Sequence, residues 1–360
     1  MAVGSLMSAS MPDRRSPSFN PAGHVFLVTG GAGFIGSHIV RRLVAGGAHV
    51  RVLDVFSTGT RDNLADVTDR IELIGGDITD MATVRRAMAG VEYVLHLAAL
   101  VSVPESIDHP ERNLNVNVVG THNLLLAARD AAVRQVVFSS SCAVYGEHTS
   151  PHHEELTPWP LSPYAAAKLS AEQLCRAFTH VYGLPTVCLR YFNVFGPYQN
   201  PQGGYAAVIP RFITALLGGK QPVIYGDGHQ SRDFVYVANV VEANLLACGA
   251  QAAIGGVFNI GTGCETSLLE LLATLRAIMD LKVRPIFAPP RVGDIARSRG
   301  DITLARAVLA YQPIVDLVEG LRQTVEWYDQ QHVGSRAQVR SQALSGRIRN
   351  MPRTASIEMS

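Results

Sequence analysis

Long apolar runs, paired cysteines and an excess of one charge are all missing from this sequence of 360 residues. A membrane-spanning helix needs about eighteen apolar residues in a row, and no stretch of this sequence is that long. The 31 Lys+Arg and 30 Asp+Glu residues give a formal charge of +1, so no overall field favours a nucleic acid. The five cysteines lack CxxC spacing, and the first residues lack the basic and apolar segments of a secretory signal. We therefore expect a soluble cytoplasmic protein with reduced thiols, no metal, and neither nucleic-acid nor membrane partners.

Alternation of strand-like and helix-like segments is the dominant pattern. Hydrophobic residues make up 47% of the chain, enough for a sizeable core. Residues 1–22 and 331–360 lack periodicity and are expected to be a disordered extension and a flexible tail. Between them the pattern predicts an α/β fold, a Rossmann-type doubly wound parallel sheet, followed from residue 190 by a smaller mixed lobe. Strands are predicted at 25–28, 49–53, 70–75, 93–97, 135–139 and 185–189, and helices at 35–45, 81–89, 113–131 and 164–182.

Three glycines follow the first predicted strand at intervals of three residues, at Gly30, Gly33 and Gly36. Glycine permits a tight turn, lets the backbone approach a pyrophosphate, and lets the next helix press on the sheet. The helix that starts around Phe34 and Ile35 offers its N–H groups and the positive end of its dipole to phosphates. A glycine cluster alone could be an ordinary turn, but its place between a buried strand and a helix predicts a dinucleotide site.

Acidic and small residues follow the next strands of this unit. Asp54 ends the second strand, where a carboxylate can accept both ribose hydroxyls and repel a 2′-phosphate, which favours NAD over NADP. Asp77 and Ile78 follow the third strand and could reach the adenine edge, although an aspartate there could equally cap a turn. The fourth strand ends in residues that leave room for a ribose-phosphate but would also suit plain core packing: Leu97, Ala98 and Ala99.

A tyrosine and a lysine lie four residues apart on a predicted helix, at Tyr164 and Lys168, and therefore on one face. A nearby ammonium and the positive ring of NAD⁺ both favour the phenolate, so we expect the pKa of Tyr164 to be lowered toward that of a usable base. The fifth strand ends in serines from Ser139 to Ser141, at the edge of the sheet where ligands bind in such folds. Ser141 could hydrogen-bond a substrate oxygen and share its proton with Tyr164. Serines at this point could otherwise only finish a turn.

Between residues 24 and 328 the chain carries, in order, TGGAGFIGS, Asp54, GDI, LAA, NVNVVGTHN, SSSCAVYG, SPYAAAK and RYFNVFGP. This series resembles the extended short-chain dehydrogenases/reductases, and among them the UDP-hexose 4-epimerases, especially the branch that handles UDP-N-acetylglucosamine. The resemblance implies a homodimer, a tightly held NAD in a domain of residues 23–189 with a contribution from about 234–262, and a nucleotide-sugar lobe of residues 190–233 and 263–330. It also implies that Ser141, Tyr164 and Lys168 are catalytic.

The resemblance further assigns residues to the two ligands. It places Asn117 near the active site and Phe192 near the nicotinamide, with Ser139 beside the cofactor. For the nucleotide sugar it implies Asn193, Arg232 and Arg291 at the diphosphate, Asp294 at the uridine ribose, Val208 beside the uracil, Tyr225 in the same lobe, and Ser102 on the acetamido side. Arginine suits a diphosphate because its planar donors bind two oxygens at once.

Two departures bear on the reaction. Related dehydratases and decarboxylases carry an acidic residue just after the catalytic Ser or Thr, whereas Cys142 and Ala143 follow Ser141 here, so C4 epimerisation through a transient 4-keto sugar fits best. Cys142 could be a modest acid, but it is more simply a buried small thiol. Ser298 occupies a position that a bulky Tyr fills in relatives restricted to plain hexoses. We therefore expect UDP-GlcNAc/UDP-GalNAc and also UDP-Glc/UDP-Gal as substrates; a dehydratase, a reductase or a non-catalytic NAD-binding regulator are the alternatives.

Overall fold

The computed structural model describes residues 19–201, 207–290 and 295–331 and contains fourteen strands in that part of the chain. In chain order they are β1 (Val25–Thr29), β2 (His49–Asp54), β3 (Ile71–Gly75), β4 (Tyr93–His96), β5 (Gln135–Ser141), β6 (Thr186–Tyr191), β7 (Asn193–Phe195), β8 (Val223–Tyr225), β9 (Ser231–Arg232), β10 (Phe234–Tyr236), β11 (Val257–Ile260), β12 (Thr266–Ser267), β13 (Ile286–Ala288) and β14 (Arg297–Ser298).

The α-helices are α1 (Phe34–Ala45), α2 (Met81–Met88), α3 (Val103–Asp108), α4 (Pro110–Leu114), α5 (Gly120–Asp130), α6 (Pro163–Tyr182), α7 (Val208–Leu217), α8 (Val237–Gly249), α9 (Leu268–Ile278) and α10 (Thr303–Leu309). A last helix covers residues 317–331. The single helix predicted at 113–131 is confirmed as a continuous rod, but a π-helical segment, Asn115–Val119, joins α4 to α5. None of the described helices is both long and apolar enough to cross a bilayer.

Seven strands form one parallel sheet in the order β3-β2-β1-β4-β5-β6-β11. The predicted Rossmann-type doubly wound sheet is thereby confirmed. Each of the six predicted strands is present, and no strand end differs from its prediction by more than two residues. The strand order reverses between β1 and β4, so the loops after these two strands open a crevice at the carboxyl edge of the sheet.

Side chains of β1 alternate between the two faces of the sheet and show how the core is divided. Phe26 and Val28 belong to a cluster with residues of α1 and α8, whereas Leu27 packs with residues of α2, α5 and α6. A strand covered by helices on both faces is apolar throughout, which is why β1 reads as a continuous hydrophobic run. Helices on both faces hold the carboxyl ends of the strands rigidly at one edge.

Residues after β6 contribute both to this sheet and to a set of smaller ones. β11 joins the sheet beside β6, and α8 packs on α1. The small sheets pair β7 with β10, β8 with β13, and β9 with both β12 and β14. β7 starts two residues after the carboxyl end of β6, so the pair of β7 and β10 begins beside the crevice.

The amino-terminal boundary differs from the expected one. Phe19 lies edge-on to Phe26 and Tyr93, with ring centroids 6.1 and 5.1 Å apart. The ordered fold therefore includes residues 19–22 of the segment expected to be a disordered extension, because an aromatic side chain in an otherwise polar stretch finds a place against the edge of the core. Residues 1–18 and 332–360 lie outside the described residues.

Candidate active site

The glycine turn has the geometry that a dinucleotide requires. Gly30 has φ +69°, and a Cβ there would lie 2.7 Å from the backbone N of Ala98. A Cβ on Gly36 would collide with the carbonyl oxygen of Gly30, so α1 can press against the turn only because this residue is glycine. No side chain of the described chain caps the start of α1 at Gly33. The first N–H groups of α1, from Phe34 onward, are suited to phosphate oxygens, and the turn fits the pyrophosphate of NAD.

Asp54 is fixed beside this turn, as the sequence predicts for a ribose acceptor. Its carboxylate accepts hydrogen bonds from the backbone N of Ala32 at 2.9 Å and of Phe56 at 2.8 Å. The residue is only 7% exposed. Each oxygen retains further lone pairs that could accept from hydroxyl groups.

Asp77 takes part in a local turn, because its Oδ1 accepts from the backbone N of Thr79 at 2.9 Å. Ile78 is buried directly under Gly120, where an added Cβ would lie 2.6 Å from its Cδ1. The structure therefore shows Asp77 in the turn-forming role that the sequence also allowed. Its contact with the adenine stays a prediction. Ile78 serves in the packing of α5 against the sheet.

The loop after β4 is held by Asn117, a residue of the π-helical segment that is 2% exposed. Its Oδ1 accepts from the backbone N of Leu100 at 2.8 Å, and its Nδ2 donates to the carbonyl of Leu100 at 3.0 Å and to Oδ1 of Asn113 at 2.7 Å. Both amide hydrogens are thus committed within the protein. Asn117 positions the loop that contains Leu97, Ala98 and Ala99. Ser102, expected on the acetamido side, caps α3 by accepting from Glu105 N at 3.1 Å.

Tyr164, Lys168 and Ser141 are brought together at the carboxyl edge of the sheet. Tyr164 and Lys168 lie on the first turns of α6 and are 9% and 4% exposed. The Lys168 ammonium donates to the carbonyl of Ser139 at 2.9 Å and lies 4.9 Å from the centre of the Phe138 ring. Ser141 ends β5, and its hydroxyl interacts with the Tyr164 phenol. The grouping inferred from sequence spacing is therefore present in space.

The pKa of Tyr164 differs from the expectation. Burial raises it to about 12, with the hydrogen bond from Ser141 acting in the opposite direction. Burial also lowers the pKa of Lys168 to about 8, against the charge of Glu172. The expectation that Lys168 lowers the phenol pKa is wrong for the protein alone, because the ammonium is directed at the Ser139 carbonyl and desolvation dominates.

Cys142 connects this group to the smaller sheets. Burial raises the pKa of its thiol to about 11, while the positive charge of Arg232 and a hydrogen bond with Ser298 lower it. The thiol therefore remains protonated at neutral pH, in agreement with a small packing residue. Ser298 is 5% exposed and pairs with Arg232 across β14 and β9. Both residues therefore lie within reach of the end of β5.

A cavity of about 300 Å³ opens between β7, β8, β9 and α7. Four residues expected at the nucleotide sugar line it: Asn193, Val208, Tyr225 and Arg232. Arg211, which was not predicted from the sequence, also lines the cavity, and its guanidinium lies 5.6 Å from the centre of the Tyr225 ring. Arg211 lies three residues after Val208 on the amphipathic helix α7. This spacing places the two residues on one face of the helix and could have indicated that Arg211 also lines the cavity. Arg291 and Asp294 lie outside the described residues.

Phe192 lies behind the cavity rather than along it. Its ring stacks at 6.4 Å on His152, which in turn stacks at 5.1 Å on Tyr145. A Cβ on Gly300 would lie 2.7 Å from the Phe192 ring. These contacts assign Phe192 to the packing that joins the end of β5 to the segment after β14, and a contact with the nicotinamide stays a prediction.

Fold and site together define a nucleotide-binding enzyme of the short-chain dehydrogenase/reductase type. The model of the NAD dependent epimerase/dehydratase family matches residues 26–261. The chain belongs to this family and is an NAD-dependent enzyme. It is 44% identical over 307 residues to a UDP-glucose 4-epimerase of Mycolicibacterium smegmatis, covering 84% of this chain and 97% of the relative.

Solved structures agree with this placement. A UDP-N-acetylglucosamine 4-epimerase from Methanobrevibacter ruminantium M1, in complex with UDP-N-acetylmuramic acid, is 40% identical with a TM-score of 0.83 and covers 86% of this chain and 99% of its own. A UDP-glucose 4-epimerase from Thermotoga maritima with UDP-glucose is 40% identical with a TM-score of 0.82, covering 85% and 99%. Both proteins are named as 4-epimerases of UDP-sugars.

Proposed function

We propose that the protein interconverts the C4 epimers of UDP-hexoses, with UDP-GlcNAc/UDP-GalNAc and UDP-Glc/UDP-Gal as substrates. The observation that carries the proposal is the meeting of Ser141, Tyr164 and Lys168 at the sheet edge that also bears the glycine turn. The adjoining cavity with Arg232 supplies a place for a nucleotide diphosphate. The named activities of the similar proteins support the same reaction.

The reaction begins at the 4-hydroxyl of the sugar. When bound, NAD⁺ supplies the hydride acceptor for C4 and a positive ring whose charge favours the phenolate. Tyr164 takes the hydroxyl proton, Ser141 donates a hydrogen bond to the same oxygen, and a transient 4-keto sugar results. Lys168 lies one turn after Tyr164 on the same face of α6, where it could bind the nicotinamide ribose. Tyr164 then returns the proton to the oxygen when C4 is restored with inverted configuration.

Inversion requires that the sugar present its opposite face while the nucleotide stays held. We assign the binding of the nucleotide to Asn193, Val208, Tyr225 and Arg232 in the cavity, together with Arg291 and Asp294. The diphosphate contacts are remote from C4, so the hexose can turn about its link to the diphosphate without loss of the nucleotide.

Acceptance of acetamido sugars rests on Ser298. Its small side chain is buried next to Cys142 and Arg232, at the border between the end of β5 and the cavity. A serine here leaves volume that a larger residue would fill. We propose that this volume holds the 2-acetamido group.

We also propose that the protein is a cytoplasmic homodimer. The helix formed by α4, Asn115–Val119 and α5 exposes Leu114 and Val119, and the end of α6 exposes Val181 and Tyr182, all more than 40% accessible. Exposed apolar side chains on neighbouring helices favour burial against a second copy. Light scattering on the purified protein should give twice the mass of one chain. All five cysteines are free thiols, as is usual in a reducing compartment.

Incubation with UDP-GlcNAc or UDP-Glc, in separate reactions without added cofactor, tests the proposed activity. Separation of the C4 epimers by chromatography should show both sugars approaching equilibrium mixtures although no NAD⁺ is supplied. Loss of water from the sugar would indicate a dehydratase, and net formation of NADH would indicate a dehydrogenase. A protein that binds NAD but converts neither sugar would contradict the proposal.

A further inference from the structure

A buried ion pair lies directly behind the proposed catalytic residues. Glu172 on α6 and Arg190 on β6 are 0% and 3% exposed. The guanidinium donates from Nε to Oε1 at 2.9 Å and from Nη2 to Oε2 at 2.8 Å. The Ser140 hydroxyl donates to Oε1 of the same carboxylate. One carboxylate therefore joins three elements, α6, β5 and β6.

The position of this carboxylate relates it to the reaction. Glu172 lies one turn after Lys168 and two turns after Tyr164 on the same face of α6. Ser140 stands between Ser139, whose carbonyl accepts from Lys168, and Ser141. The link between Glu172 and Ser140 therefore fixes the end of β5 relative to the helix that bears the phenol and the ammonium.

Arg190 extends the same support to the turn after Ser141. It is the partner of Ser140 in the β5–β6 register, and its guanidinium lies 4.7 Å from the centre of the Tyr145 ring. Tyr145 ends the 3₁₀ turn Cys142–Tyr145, and the Ser141 hydroxyl accepts from Ala143 N at the start of that turn. The ion pair therefore contacts the chain before and after Ser141, at Ser140 and at Tyr145.

Stability alone does not require charges at this place. Removing two charges from water is costly, and apolar pairs of similar volume are often as stable or more so. Here Nη1 of Arg190 is buried with no hydrogen-bond partner in the described part of the chain, which adds to the cost. What the ion pair supplies, and apolar contacts do not, is a directional connection between α6, β5 and β6.

We propose that Glu172 and Arg190 are positioning residues, whose buried ion pair holds Ser141 and Lys168 in the relative arrangement that proton transfer with Tyr164 needs. The inference rests on the proposed epimerase function and adds to it two residues that do not touch the substrate. A shift of about 1 Å in such an arrangement can reduce turnover by about a hundredfold.

The charge of Glu172 also acts on Lys168. The groups that face the ammonium are Glu172 and Cys175 from α6, His96 from β4, and the Ser139 carbonyl and Phe138 ring from β5. His96 is neutral, because burial lowers its pKa to about 3. Burial lowers the pKa of Lys168, and the charges of Cys175 and then Glu172 act in the opposite direction. Glu172→Gln should therefore move the alkaline limb of the pH profile of kcat to lower pH.

The double variant Glu172→Leu/Arg190→Met separates positioning from stability. It replaces both partners of the ion pair with apolar side chains, so neither Glu172 nor Arg190 is left as an unpaired buried charge. We expect a thermal midpoint equal to or above that of the wild type, a kcat lowered about tenfold or more, and a KM within about twofold. Arg176→Met, an exposed arginine on the same helix, is the matched control and should change none of these quantities.

A double variant with wild-type kcat would overturn the proposal, since the pair would then serve packing alone. Should the double variant not fold, Ser140→Ala decides, because it removes only the hydroxyl that connects Glu172 to β5. We expect it to lower kcat several-fold at a temperature at which the variant remains folded; an unchanged kcat would overturn the proposal.

Binding of NAD⁺ provides a readout that does not depend on the substrate. The affinity of wild type and Glu172→Gln for NAD⁺ is measured by calorimetry at several pH values. The variant should lose affinity at a lower pH than the wild type, because Lys168 loses its charge earlier. If the wild type epimerises no UDP-sugar, the proposed function fails, while a pH shift in NAD⁺ binding still supports the role of Glu172 toward Lys168, and identical profiles contradict it.

Discussion

Replacing Lys168 with methionine should make the protein more stable while abolishing its activity. Lys168 is 4% exposed, and burial lowers the pKa of its ammonium from 10.5 to about 8. At about 1.4 kcal/mol for each pH unit, this difference corresponds to a cost of about 3 kcal/mol for holding the charge inside the folded protein at neutral pH. Methionine has a similar length and no charge, so the variant avoids this cost.

The gain is partly offset by a lost hydrogen bond. The ammonium donates to the Ser139 carbonyl at 2.9 Å, and a buried carbonyl without this partner costs about 1–2 kcal/mol. The variant should therefore gain roughly 1–2 kcal/mol, which corresponds to a thermal midpoint about 1–3 °C higher for a protein of this size. Activity should disappear because the ammonium that we propose for the nicotinamide ribose is gone.

The sign of the pH dependence follows from the two states of the lysine. Below about pH 8 the side chain is charged whether the protein is folded or unfolded, so the cost is fully present. Between about pH 8 and 10.5 the folded protein releases the proton while the unfolded chain retains it. Wild-type stability therefore rises relative to the variant in this window, and the gap between them closes.

Calorimetric unfolding of both proteins, freed of bound nucleotide, at pH 7, 8.5 and 10 measures this gap. Removal of the nucleotide matters, since a ligand that binds only the folded state would raise the wild-type midpoint independently. A variant less stable than the wild type at pH 7, or a gap that does not change with pH, would refute the reasoning that burial of the ammonium is the dominant cost.

Three further substitutions test the site. Tyr164→Phe should lower kcat in the C4-epimer assay by about a thousandfold at an unchanged thermal midpoint, because it removes only the proton acceptor. Ser298→Tyr should suppress turnover of UDP-GlcNAc at least about tenfold and leave UDP-Glc within about threefold; equal loss of both would contradict the pocket assignment. Gly30→Ala should weaken NAD⁺ binding in calorimetric titration, since its Cβ would meet Ala98 N at 2.7 Å, whereas Gly90→Ala, with a similar φ of +72° and open space, should not.

The sheet could be predicted from the sequence because each of its elements leaves a local pattern. β1 is covered on both faces and is apolar from Val25 to Val28, and the helix after it begins directly after Gly33. The π-helical segment Asn115–Val119 could not be predicted, because its side chains have the same helical spacing as an α-helix. The hydrogen bonds that Asn117 of this segment makes to Leu100 could not be predicted either, because Leu100 lies in a loop seventeen residues away.

The ion pair of Glu172 and Arg190 shows why part of the site escaped sequence reasoning. Extension of the four-residue spacing from Lys168 leads to Glu172, but a glutamate on an amphipathic helix is usually solvated. Only the register of β6 against β5 places Arg190 where it makes that glutamate internal. Burial of a charged group depends on its partner in another element, and the sequence does not state which elements will meet.

The pKa of Tyr164 illustrates the same limit in the chemistry. Spacing correctly brought the phenol and the ammonium onto one face of α6, and from this proximity a lowered phenol pKa was expected. Burial acts on both groups, however, and it favours the neutral form of each, so the phenol is raised to about 12 while the lysine falls to about 8. A base made in this way keeps its proton until positive charge arrives beside it. We therefore expect the phenol to act as a base only when the positive ring of NAD⁺ lies beside it.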